Sequence, residues 1–72
     1  MRMSTSMTPE TKFELLKLLL ESGIEVRTLY KNKRVVALER PAESTALIRY
    51  ENGDVDKMRL ATFAKRRFVV II

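Results

Sequence analysis

The segments Thr45 to Tyr50 and Val55 to Leu60 alternate in the manner of β-strands and meet at Asn52-Gly53, and such a meeting at Asn-Gly is the strongest short-range signal for a hairpin. Asn52 and Gly53 both tolerate the positive φ that a two-residue turn requires. Two registers are open. A two-residue turn sets Arg49 opposite Asp56 and Tyr50 opposite Val55, an ordinary cross-strand ion pair. A loop one residue longer faces Ala46, Ile48 and Tyr50 with Leu60, Met58 and Asp56, and Leu47 and Arg49 with Arg59 and Lys57. That second register makes a basic outer stripe, whose internal repulsion disfavours it unless an anion lies along it.

A chain of 72 residues has room for one domain with one small core. At that size only about 60% of the unfolded surface is buried. The chain has no Cys and no His, which removes disulfides, thiolate chemistry and the commonest zinc ligands together. Apolar packing must therefore carry the fold. The lack of Cys fits a reducing cytoplasm. No apolar run approaches the roughly 20 residues of a membrane span, and Met1 to Ser6 has no apolar signal region. These features predict a soluble cytoplasmic protein that makes no use of a membrane.

The formal charge is +5, and its distribution is uneven. Residues 1–25 hold three basic and four acidic groups, a balance of −1, whereas residues 26–72 hold eleven and five, a balance of +6. The positive field thus belongs to the β-rich part, which favours an anionic partner on the sheet over one on the N-terminal helix. The plainer reading is a Lys/Arg-rich surface that keeps a small domain in solution.

Residues 1–7 are polar and aperiodic and are expected to form a disordered leader, with one domain over 8–72. Thr8 caps a helix, Pro9 takes its first position and Glu10 meets the positive end of its dipole. The helix is predicted over Pro9 to Ser22, with Phe13, Leu16, Leu19 and Leu20 on one stripe and Gly23 as its stop, Ile24 packing back in a Schellman motif. From Ile24 the period becomes two, giving a first strand to Lys31. A turn at Lys31-Asn32-Lys33 leads to a strand over Arg34 to Arg40, which Pro41 stops, with a loop to Ser44. The Asn-Gly hairpin follows, then a single helical turn within Ala61 to Arg66 and a closing strand over Phe68 to Ile72. The fold class is α+β: an N-terminal helix followed by a five-stranded antiparallel sheet. The sheet is expected to curl into a small SH3-like barrel, which removes its long exposed edges, and an open sheet under the helix is the competing layout.

The run Leu47-Ile48-Arg49-Tyr50-Glu51-Asn52-Gly53-Asp54-Val55, followed by Met58-Arg59-Leu60, a short turn and a last strand, resembles the SH3-like small barrels and their Tudor-type members. The resemblance spans Ile24 to Ile72 and implies a binding module for nucleic acid or a peptide, not an enzyme. Tudor domains that read methylated side chains use a cage of several aromatic rings. Here only Tyr30, Tyr50, Phe63 and Phe68 are present in that region, without Trp, and Phe63 and Phe68 also read as core.

Catalysis lacks its usual groups. No histidine activates Ser4, Ser6 or Ser22, and Gly23 and Gly53 are isolated turn glycines rather than a phosphate loop. Glu51, Asp54 and Asp56 lack the spacing of a calcium loop and read as a solvated turn. No catalytic residue, metal ligand or cofactor is expected. The predicted nucleic-acid or polyanion site comprises Arg49, Lys57 and Arg59 on the hairpin, Lys65, Arg66 and Arg67 before the last strand, and Tyr50 as a stacking ring. Lys31 and Lys33 read as a solvated turn tip. The alternative is a protein-binding regulator or inhibitor that docks on an acidic partner. Edge pairing through Phe68 to Ile72 leaves a homodimer open, against the simpler reading that this segment is buried.

Overall fold

The computed structural model describes residues 7–72, so the leader expected over 1–7 lies outside the described residues except for Met7. Helix α1 (Pro9–Glu21) begins as its sequence dictates. Thr8 is extended, at φ −66° and ψ 154°, and its hydroxyl accepts the Thr11 N–H at 3.2 Å. At the other end the Ile24 N–H reaches the Leu19 carbonyl and the Gly23 N–H the Leu20 carbonyl, both at 3.0 Å. This is the Schellman pairing, and Gly23 provides its left-handed residue at φ +81°.

The remaining elements are β1 (Glu25–Thr28), β2 (Arg34–Ala42), β3 (Thr45–Tyr50), β4 (Val55–Arg59), α2 (Leu60–Lys65) and β5 (Phe68–Ile71). They form one antiparallel sheet of order β4-β3-β2-β1-β5. Among the described residues β4 and β5 do not pair with each other, and the sheet stays open rather than closing into a barrel. Strand β2 runs through Pro41 instead of stopping there. The register shifts between Glu39 and Ala42, so the proline occupies an irregularity where no ladder N–H is required.

The β3–β4 hairpin adopts neither of the two expected registers. Arg49 lies opposite Val55, Ile48 opposite Asp56 and Leu47 opposite Lys57. The Gly53 N–H bonds to the Tyr50 carbonyl at 3.0 Å and the Tyr50 N–H to the Asp54 carbonyl at 2.9 Å, which closes a three-residue loop of Glu51, Asn52 and Gly53. Only Gly53, at φ +93°, takes the left-handed conformation, whereas Asn52 uses its side-chain oxygen to accept the Asp54 N–H at 2.9 Å. A tight turn followed by a left-handed glycine is the standard three-residue solution. It turns Ala46, Ile48 and Tyr50 into the core and alternates Leu47 and Val55 with Arg49 and Lys57 outside, so no two cations face each other.

One core fills the space between the helices and the inner sheet face. Phe13 and Leu16 from α1, Leu60 and Phe63 from α2, and Val26, Val35, Leu38, Ile48, Phe68 and Val70 from the strands are all buried. Phe63 sits at its centre, with ring centroids 5.5 Å from Phe13 and 5.4 Å from Phe68.

Lys12 is buried beside this core, at 7% exposure. Its ammonium donates to the Ala64 carbonyl at 2.9 Å and to the Arg66 carbonyl, satisfying the C-terminal end of α2. Burial holds the Lys12 pKa below its ordinary value. Lys12→Met keeps the apolar stem and removes both donors, so denaturant unfolding should show a loss of about 1–3 kcal/mol.

Candidate functional site

A groove of about 560 Å³ opens at the rim of the sheet, between the β1–β2 turn and the α2–β5 connection. Its walls carry Lys31 and Lys33 on one side and Lys65, Arg66 and Arg67 on the other, and its floor includes Ile48, Tyr50, Asp56 and Phe68. The two walls are far apart in sequence and meet because β1 pairs with β5. The Thr28–Phe68 pairing is extended by the Leu29 N–H, which bonds to the Arg67 carbonyl at 3.0 Å.

The β1–β2 turn is held from within. The Thr28 hydroxyl donates to the Tyr30 carbonyl at 2.6 Å and accepts the Lys33 N–H at 3.0 Å, and the Arg27 guanidinium reaches the Asn32 carbonyl at 3.0 Å. Lys31 and Asn32 both adopt left-handed backbone, at φ 69° and 53°. Lys31 pays a conformational cost there, since such backbone is unfavourable for a long side chain. The turn leaves Tyr30 78% exposed at the groove rim, with the Lys31 ammonium 5.6 Å from its ring centroid.

The floor is differently built. Tyr50 is 4% exposed, and the Lys33 ammonium stands 5.1 Å from its ring centroid. Its hydroxyl donates to an Asp56 carboxylate oxygen at 2.7 Å. Burial, then the hydrogen bond and charge of Asp56, push the Tyr50 pKa far above its ordinary 10.0, against the opposing pull of Arg66. Because the folded-state value is raised, this contribution to stability is complete below about pH 10 and is lost as the pH climbs toward the folded-state value. Lys12, whose pKa is depressed, acts with the opposite sign as the pH approaches 10.5. A comparison of wild type with Tyr50→Phe isolates the tyrosine: the variant's unfolding free energy should fall less steeply above about pH 10.

The predicted site residues divide between two faces. Lys65, Arg66, Arg67 and Tyr50 come together at the groove. Arg49, Lys57 and Arg59 project from the outer face of β3 and β4, where Arg49 pairs with Glu39. Tyr50 does not present a ring for stacking, because alternation along β3 puts it on the inner face with Ala46 and Ile48; Tyr30 offers the exposed ring instead. Lys31 and Lys33, read from sequence as a turn tip, line the groove. The pairing Tyr30-Lys31-Asn32-Lys33-Arg34, an aromatic among cations, was the available signal.

Acidic neighbours are sparse at one wall. Among the described residues no carboxylate lies within ion-pair distance of Lys65, Arg66 or Arg67. The hairpin carboxylates are dispersed: Glu51 pairs with Arg34 at 3.3 Å, Asp54 with Lys33 at 3.1 Å, and Asp56 with the Tyr50 hydroxyl. The hydrogen bonds from Lys33 and then Asn52 hold the Asp54 pKa below its ordinary value. Phe63 and Phe68 lie in the core and do not join Tyr30 in an aromatic cage. Among the described residues no helix is long and apolar enough to cross a membrane.

No protein-family model, no curated protein and no solved structure matches this chain.

Proposed function

We propose that this chain is a non-enzymatic module that binds single-stranded nucleic acid along the basic groove. The observation that carries the reading is the convergence of five basic side chains, Lys31, Lys33, Lys65, Arg66 and Arg67, on one groove with Tyr30 exposed at its rim. Cations spaced along a groove neutralise successive phosphates, and an exposed ring stacks on an unpaired base. A duplex reader is a poorer fit. Helix α1 commits Phe13 and Leu16 to the core, while Glu10, Glu14 and Glu21 occupy its exposed positions, so it has no basic face for a major groove.

The hairpin β3–β4, the short helix α2 and the closing strand β5 follow the order that the Tudor-type resemblance implies, which supports reading the fold as an opened relative of the SH3-like barrels, unpaired between β4 and β5. A chain without cysteine suits a cytoplasmic setting. One observation favours a protein partner instead: Val36 and Val55 are about half exposed on the outer face, among Arg49, Lys57 and Arg59. An acidic protein surface with apolar patches would match that face.

Fluorescence anisotropy with labelled single-stranded DNA and RNA tests the reading. With roughly five phosphate contacts, affinity should fall about 100-fold between about 50 and 200 mM salt. No binding of either strand at about 50 mM salt contradicts the proposal. Recovery of a stoichiometric acidic protein, with no oligonucleotide binding, selects the alternative.

A further inference from the structure

We infer that Asp56 makes the groove selective for guanine, an inference that rests on the nucleic-acid reading above. A carboxylate at the floor of a groove with cationic walls is out of keeping with simple phosphate binding, since it repels the phosphates that the walls attract. Asp56 is not spent on an ion pair, although Lys33, Lys65, Arg66 and Arg67 line the same groove. The Tyr50 hydroxyl engages Oδ2 at 2.7 Å, and among the described residues no donor reaches Oδ1. The residue is half-buried, and β4 holds it on the inner face opposite Ile48.

An ionised carboxylate only accepts hydrogen bonds, and each of its oxygens has two lone pairs. Oδ1 is therefore open, and Oδ2 keeps one further acceptor position beside the Tyr50 hydroxyl. The complement of two parallel acceptors is two adjacent donors. Guanine alone presents these, as N1–H and the N2 amino group on its pairing edge. Cytosine and adenine set one amino donor beside an acceptor nitrogen, and uracil and thymine set one N–H between two carbonyls that the carboxylate repels. The guanine pairing edge is free only in an unpaired strand, which agrees with a single-stranded ligand. Tyr30 at the rim would stack a neighbouring base while the wall cations hold the flanking phosphates.

The test uses thymine-only strands that carry one central guanine, adenine or cytosine, with the all-thymine strand as reference. Wild type should bind the guanine strand about tenfold more tightly than the reference. Asp56→Asn retains an acceptor for the Tyr50 hydroxyl but replaces the second acceptor with a donor. This variant should lose the guanine preference, read as the ratio of its own affinities for the guanine and all-thymine strands falling from about tenfold to about one. Equal binding of all four strands by wild type, or a guanine preference that survives Asp56→Asn, overturns the inference and leaves the proposed function standing. No binding of any strand overturns both. Should the variant fail to fold, competition on the unmodified chain decides: guanosine monophosphate displacing a labelled strand no better than thymidine monophosphate contradicts the selectivity.

Discussion

Replacing Lys65, Arg66 and Arg67 together by Ala should weaken binding of single-stranded oligonucleotides about 100-fold at low salt and lower the log–log salt slope by about 2. These side chains are exposed and, among the described residues, have no ion pair, so their charge is available to a ligand rather than to the fold. The backbone that carries them is anchored independently. The Arg66 N–H bonds to the Phe63 carbonyl at 3.0 Å, Lys12 holds the Arg66 carbonyl, and Leu29 holds that of Arg67. Stability should therefore change by no more than about 0.5 kcal/mol. The matched triple of Arg49, Lys57 and Arg59 to Ala, on the other face, should cost less than about fivefold in affinity because those residues act only through the long-range field. Anisotropy titrations of both variants at two salt concentrations, beside their denaturation curves, check this pair of outcomes.

Phe63→Ala should be the most destabilising single truncation in the chain, at about 3–5 kcal/mol. The side chain has no exposed surface and joins two rings from different elements, Phe13 of α1 and Phe68 of β5. A chain of 72 residues has a total stability of only about 4–11 kcal/mol, so this loss leaves a large unfolded fraction. Helix α2, which carries Phe63 and leads into the Lys65–Arg67 wall, should loosen with it. Binding is then lost together with the cooperative thermal transition, whereas the Lys65, Arg66 and Arg67 triple loses binding with that transition intact.

The parts of the fold legible in the sequence are those decided within a few residues. Thr8, Pro9 and Gly23 mark the ends of α1 because capping and left-handed backbone are local chemistry. The Asn-Gly hairpin was legible as a hairpin but not in its register. Loop length there depends on whether Asn52 takes positive φ or satisfies the turn through its side chain, and it does the latter. Pro41 misled because a proline is tolerated in a strand wherever an irregularity removes the need for its N–H.

The groove is harder to read because it is a product of topology. Residues 28–33 and 65–68 are remote in the chain and meet only through the β1–β5 ladder, so Lys31 and Lys33 read as a solvated turn tip apart from Lys65, Arg66 and Arg67. Register then decided which of them share a face. The burial of Lys12 has a local signal: it lies four residues before Leu16, on the same buried stripe, where a solvated lysine is out of place.

Amide chemical shifts followed by NMR, as an unlabelled single-stranded oligonucleotide is added to the isotopically labelled chain, test the central claim most directly. The account predicts shifts concentrated at Leu29 to Lys33, at Tyr50 and Asp56, and at Lys65 to Phe68, with Leu47, Arg49, Lys57 and Arg59 little changed. Shifts confined to the outer face of β3 and β4, or none at saturating oligonucleotide, contradict it.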